Sequence, residues 1–238
     1  MRTTVLVRFA GLRLCPLLAT LASAANLAAA TLEISVVDEQ GRPIAGVAVY
    51  ATPADGAARH GAAEHHGTSA ATTAETMPTA IMDQRNLQFV PHLLVVQAGT
   101  EVAFPNGDEV SHHVYSFSET KPFELPLYKG DQAPPQLFDR AGIVVLGCNI
   151  HDGMLGYIVV VDTPYFSKTD EQGVALIENV PAGDYVLAAW TPRARPAALP
   201  PTQQLTVTQE NAAAEIRITG RLSPAHEHSA SSLTWERY

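Results

Sequence analysis

Two apolar runs of strand length, Gly142–Cys148 and Leu155–Val161, are joined by only six residues, Asn149-Ile150-His151-Asp152-Gly153-Met154. Short runs rich in Val, Ile and Leu, bounded by Asn, Asp and Gly, predict a strand–loop–strand unit rather than a helix. Much of the remaining chain carries the same punctuation. Leu32, Ile34 and Val36 alternate along residues 31–37, and a turn at 38–43 leads into an apolar stretch at 44–50. Residues 89–96, 101–104 and 114–117 are strand-like, as are 174–177, 185–190, 205–207 and 215–218. No stretch has a convincing helical spacing of apolar residues, so the expected class is all-β, a sandwich of short strands. Residues 119–139 contain four prolines and little periodicity, and are expected to be a loop or excursion.

The connection between the two apolar runs also carries chemistry. Cys148-x-x-His151-x-x-Met154 puts a thiolate, an imidazole and a thioether within seven residues. A second histidine from elsewhere would complete a His₂Cys set with a weak axial Met, the arrangement of blue-copper electron-transfer sites. The candidates are His112 and His113, downstream of Phe104-Pro105-Asn106. Structural zinc fits less well, because Met is a poor zinc ligand. A two-copper centre would need a second cysteine in the loop. A multicopper oxidase would need several His-x-His pairs, and only His226-Glu227-His228 has that form.

Cysteine usage supports a metal. Residues 1–30 read as a secretory signal peptide: Arg2, Arg8 and Arg13, then an apolar run, then small-residue cleavage signals at 22–24 and 28–30. The apolar run is short for a membrane-spanning helix, so the mature chain is not expected to insert in a membrane. Cleavage removes Cys15 and leaves Cys148 as the single thiol. An exported chain with one cysteine has no internal disulfide, and a bound metal would protect the thiol. Cleavage also takes the formal charge from −9 to −12, which gives no electrostatic basis for binding nucleic acid. Expected localisation is periplasmic or secreted.

Residues 89–161 resemble the cupredoxins, the plastocyanin and amicyanin family of type 1 copper proteins. The resemblance rests on Phe89-x-Pro91, Gly99, Val102-x-Phe104-x-Asn106, His112-x-Val114 and Cys148-x-x-His151-x-x-Met154. It implies a Greek-key β-sandwich over residues 81–162 that holds one copper through His112, Cys148 and His151, with Met154 axial. It selects His112 over His113, because the family places its first histidine ligand six residues after this Asn. It also implies that Asn106 hydrogen-bonds across to the cysteine loop. The whole pattern resembles plastocyanin-like proteins of methylamine utilisation. His113 stands where the family usually has Asn, Gly147 where several relatives have an aromatic, and Asp152-Gly153 where bulkier apolar residues are common. His113 should face away from His112 by the period-two rule. His92 follows Pro91 near the expected copper end, either facing solvent or close to the ligands.

A second resemblance covers the flanks. Val36-x-Asp38-x-x-Gly41-x-Pro43-x-x-Gly46-x-x-Val49 and Thr169-Asp170-x-x-Gly173 with Pro181-Ala182-Gly183-x-Tyr185 resemble two halves of a carboxypeptidase-regulatory-like, transthyretin-like β-sandwich. The implied organisation is a first pair of strands at 31–52, a low-complexity loop at 53–80, the cupredoxin at 81–162, the rest of the small sandwich at 163–220 and a flexible tail at 221–238. The cupredoxin would then be inserted in a loop of the small sandwich; alternatively, 31–52 supply edge strands to the cupredoxin. His60, His65 and His66 are expected to be solvated, and Met77 and Met82 to serve packing. The functional expectation is an electron carrier rather than an enzyme, meeting exported redox proteins around His151. The alternatives are a copper chaperone or store, and a copper enzyme or sensor with an open coordination position.

Overall fold

The structure, a computed structural model, describes residues 29–56, 79–195 and 201–224. Residues 1–28 of the expected signal peptide, most of the 53–80 loop and the tail beyond 224 lie outside these residues, while Ala30, counted with the signal peptide, is buried at the start of a strand. So do His60, His65, His66, Met77, His226 and His228.

The described residues form strands and no helix, so the protein is all-β. Two strands come first, β1 (Ala30–Val37) and β2 (Ala48–Pro53). Ten follow in the middle: β3 (Thr79–Ile81), β4 (Asp83–Arg85), β5 (Gln88–Val90), β6 (Leu93–Gln97), β7 (Thr100–Ala103), β8 (His112–Ser116), β9 (Phe123–Tyr128), β10 (Gln136–Phe138), β11 (Gly142–Cys148) and β12 (Leu155–Val161). The last seven are β13 (Phe166–Lys168), β14 (Val174–Val180), β15 (Gly183–Trp190), β16 (Ala194–Arg195), β17 (Thr202–Val207), β18 (Ala212–Arg217) and β19 (Arg221–Leu222).

These strands build two sandwiches. In the outer one, sheet β14-β1-β18 packs on sheet β13-β2-β15-β17. Alternation along β1 sends Leu32, Ile34 and Val36 inward, to a core shared with Val49, Ala51, Leu187 and Ala189. In the inner one, sheet β6-β12-β11-β8-β9 packs on sheet β10-β7-β3. Its core joins Val96, Val144, Leu146, Ile158 and Val160 to Val102, Phe104 and Phe138. Strands before residue 54 therefore pair with strands after residue 165, antiparallel in β1·β14, β2·β13 and β2·β15. The ten middle strands lie between them in sequence.

A third apolar cluster unites the two sandwiches. Ala48 and Trp190 on the back of the outer sheet meet Leu93, Val159 and Val161 on the back of the inner one. Both faces of β12 are thus covered, which is why Leu155–Val161 reads as a nearly continuous apolar run instead of an alternating one. The molecule is a stack of four β layers. Burying each Val, Leu or Ile in these layers contributes roughly 1.5–3 kcal/mol.

Three expectations are corrected. The 119–139 segment is not a structureless excursion. Phe123–Tyr128 is β9, paired with β8, and Gln136–Phe138 is β10, paired with β7. Pro126 is tolerated because β9 is the edge of its sheet, where one missing N–H breaks no ladder. The expected strand at 44–50 starts only at Ala48, because the Val47 N–H donates to the Thr169 hydroxyl (2.9 Å) rather than to a neighbouring strand. The start of the expected tail is structured, since Arg221–Leu222 forms β19 against β16.

Candidate metal centre

Strand register delivers the ligands. On β8, whose residues alternate between buried and half-buried, His112 and Val114 point inward and His113 outward. Cys148 on β11 pairs with Val114, which brings its sulfur beside the His112 ring. A bulge between His112 and Val114 against β9 re-aims that end of the strand. The loop after Cys148 is pinned by the Asn149 N–H, which donates to the His113 carbonyl (3.0 Å). Gly153, at φ +78°, takes the left-handed conformation that lets the chain return to β12.

Three ligand atoms converge. Cys148 Sγ lies 3.7 Å from His112 Nδ1 and 3.5 Å from His151 Nδ1, and the two nitrogens are 3.1 Å apart. The point equidistant from all three lies about 2.0 Å from each, the length of an imidazole–metal bond and about 0.3 Å short of a thiolate–metal one, so a metal would lie closer to the two nitrogens than to the sulfur. His112 is fully buried, Cys148 is 8 % exposed and His151 is half-buried. Met154, at the far end of the loop, is 3 % exposed and packs in the same core cluster as Cys148.

The orientation of His112 comes from a residue the sequence did not single out. Its Nε2 is 2.8 Å from Asp108 Oδ2, and that carboxylate also accepts the backbone N–H groups of Asn86 (2.6 Å) and Leu87 (3.0 Å). Burial pushes the Asp108 carboxyl up, but the hydrogen bonds from Leu87, His112 and Asn86 outweigh it and hold the group below its ordinary value. An ionised carboxylate only accepts, so Nε2 carries the proton and Nδ1 turns its lone pair toward Cys148 and His151. The only sequence signal for Asp108 is an acid four residues before the histidine.

Asn106 works through that same loop. Its Oδ1 accepts the Asp108 N–H (3.0 Å), and its amide donates to the carbonyls of Val110 (2.8 Å) and Tyr128 (3.2 Å). The expected bond from Asn106 to the cysteine loop is replaced by these, because the loop it must hold is the one bearing Asp108. Tyr128 lies beneath. Its hydroxyl donates to the Phe104 carbonyl (2.8 Å) and accepts from Gln84, and burial pushes its pKa up to about 12.

His113 and His92 stand outside the cluster. His113 Nε2 meets Glu124 Oε1 at 2.7 Å on the outer face of the sheet. The His92 ring makes an edge contact with Tyr157, centroids 5.3 Å apart. Gly147, where an aromatic was noted as common, lies under Tyr115: a Cβ there would come within 2.7 Å of that ring. The aromatic is supplied from the facing strand, since Tyr115 pairs with Gly147.

The donor set fits a metal. One sulfur and two imidazole nitrogens lie within 3.7 Å of one another, a donor set that a single cation can share once the thiol has lost its proton. Burial, then the nearby His112, hold the His151 pKa below its ordinary value, against the opposing pull of Asp108. His151 is therefore neutral near neutral pH, as a ligand must be.

No protein-family model matches the chain, and no curated protein matches it. Among solved structures, it is similar to the reduced Cu(I) form at pH 4 of a proline-to-glycine mutant of amicyanin (24 % identity, TM-score 0.33, covering 35 % of this chain and 82 % of that one). A reduced tryptophan-to-tyrosine amicyanin mutant is similar at 24 % identity and TM-score 0.33, over 38 % of this chain and 87 % of that one. The Cu-containing nitrite reductase from Thermus scotoductus SA-01 is similar at 24 % identity and TM-score 0.36, over 40 % of this chain and 25 % of that one.

Proposed function

We propose that this chain is an exported, cupredoxin-type copper protein that passes single electrons between redox partners. The observation that carries the reading is the Cys148–His112–His151 triangle, with Met154 buried at the end of the same loop. Thiolate plus two imidazoles with a weak thioether is the donor set that serves Cu(I) and Cu(II) alike. A single copper held there by His112, Cys148 and His151 would supply one-electron exchange. Asp108 orients His112, and the buried wall around Cys148 and Met154 keeps water from the thiolate.

His151 is the natural point of entry and exit. It is the most exposed ligand of the triangle, and Ile150 and Leu155 beside it are half exposed, an apolar rim for brief docking. The partners would be other exported redox proteins, met in the periplasm or outside the cell after removal of residues 1–30. Outer-sphere transfer needs no acid–base pair, so the role we propose is that of a carrier rather than an enzyme. The outer sandwich, transthyretin-like by its turn motifs, acts as scaffold.

The test is an electron paramagnetic resonance and visible spectrum of the copper-loaded protein beside Cys148→Ser and Met154→Leu. The expected result is strong thiolate-to-copper absorption, lost in C148S and shifted in M154L. Copper bound one-to-one without that absorption overturns the reading. Release of Cu(I) to an apo-acceptor, with no reversible potential, would replace the carrier with a copper-delivery protein.

A further inference from the structure

The two sandwiches leave a cleft of about 570 Å³ at one end of their seam, between Pro91–His92 and Leu155 of the inner unit and Thr191–Arg193 of the outer one. Its size is that of a small-molecule site. We propose that this cleft binds a small organic monoanion, a carboxylate on a flat apolar body, through Arg193 and Lys168.

Charge is the first argument. The chain has 24 acidic residues against 15 basic ones, yet among the described residues no acidic side chain lines the cleft. His92, Lys168 and Arg193 do. Among the described residues neither Lys168 nor Arg193 takes part in an ion pair, while five such pairs form elsewhere. The Lys168 ammonium and the Arg193 guanidinium on the walls of one cleft repel each other, and a bound anion relieves that repulsion.

Preorganisation is the second. Arg193 is half-buried, and its Nε donates to the Ser223 carbonyl at 2.9 Å, which fixes the plane of the guanidinium. Lys168 Nζ is 3.4 Å from the Leu93 carbonyl, so the ammonium is held across the seam. A guanidinium fixed at Nε still has its two terminal amino groups for a planar anion, and a carboxylate matches that fork.

The walls give the rest of the ligand. Pro91, Leu155, Tyr157 and Pro192 are apolar or aromatic. The Tyr157 ring is held between His92 and Trp190, with centroids 5.3 and 5.6 Å away, and cannot easily swing into the cleft. A flat body can lie against these walls while its carboxylate reaches Arg193. The cleft shares Leu155 with the rim beside His151 but none of the metal triangle's residues, and its occupancy does not depend on the copper reading.

The test is calorimetric titration of the purified full chain, without metal, with benzoate, benzamide and inorganic phosphate. Amide shifts followed by NMR would locate the binding. The expected result is saturable benzoate binding, with shifts at Tyr157 and Arg193, and at least about ten-fold weaker binding of benzamide and of phosphate. Arg193→Gln should weaken benzoate about ten-fold, and Lys168→Met, at an exposed position, by a smaller factor. Thermal unfolding of both variants would show that they fold. Equal affinity for benzamide or for phosphate, shifts confined to another surface, or unchanged benzoate affinity in both folded variants would overturn the proposal. So would the absence of saturable benzoate binding in the millimolar range.

Discussion

The two sandwiches of this molecule solve the same packing problem with different materials. The outer core is mainly aliphatic, built from Leu32, Ile34, Val36, Val49, Leu187 and Ile216 with Tyr185 at its edge, and it holds no metal-ligating cluster among the described residues. The inner core mixes aromatic rings with sulfur, Phe89, Phe104, Phe138, Met82, Cys148 and Met154, and ends in buried polar groups, His112, Asn106 and Gln84. An aliphatic core spends all of its burial on stability. The inner core gives up one end to side chains that must stay hydrogen-bonded and aimed, and Gln84 Oε1 is a buried acceptor without a hydrogen-bond partner. Stability and chemistry are thus divided between units, and that division can be tested.

Cys148→Ser should produce the largest change: it removes the thiolate–copper absorption while leaving circular dichroism intact, because a hydroxyl fits where the thiol was. The converse comes from the outer unit. Leu187→Ala should destabilise the chain by about 2–5 kcal/mol in denaturant unfolding. The spectrum of its folded fraction should be unchanged, and a shifted absorption maximum would show that the division is false.

Asp108→Asn asks how much of the inner unit's polar end serves the metal. Removing the carboxylate that orients His112 should weaken copper binding by about 10–100-fold in competition titrations. The same variant has a pH signature in the metal-free protein. The Asp108 carboxyl is lower than its ordinary value in the fold, so its contribution is present above the ordinary carboxylate range and lost as pH falls through the lowered value. The stability gap between wild type and D108N should therefore close on acidification, read from urea midpoints. A gap independent of pH would assign the residue a purely steric role. The smallest effect expected is that of Gly147→Ala, whose added methyl must displace the Tyr115 ring at about 1–3 kcal/mol. The copper spectrum would show whether that displacement is felt at the neighbouring Cys148.

Much of this was readable from local spacing. The Cys148-x-x-His151-x-x-Met154 loop and its flanking strands needed only adjacent residues, and alternation gave the opposite faces of His112 and His113. Sites assembled over distance were not readable. Asp108 matters because its loop folds onto the turn at Asn86 and Leu87, whose N–H groups it accepts, and no local pattern encodes that meeting. β9 was hidden by Pro126, since proline counts against a strand unless the strand is known to be an edge, and edges are a property of the whole sheet. The cleft was hidden for the same reason: His92, singled out only for its closeness to the ligands, and Lys168 and Arg193 belong to three separated segments joined only by the seam.

The order of the strands along the chain carries a consequence for biosynthesis. Every strand of the inner sandwich has been made once residue 161 leaves the ribosome, whereas β1 must wait for β14 and β18, and β2 for β13 and β15. The inner unit can close on itself while the outer one is still half a sheet. Its first two strands stay without partners until the last third of the polypeptide emerges.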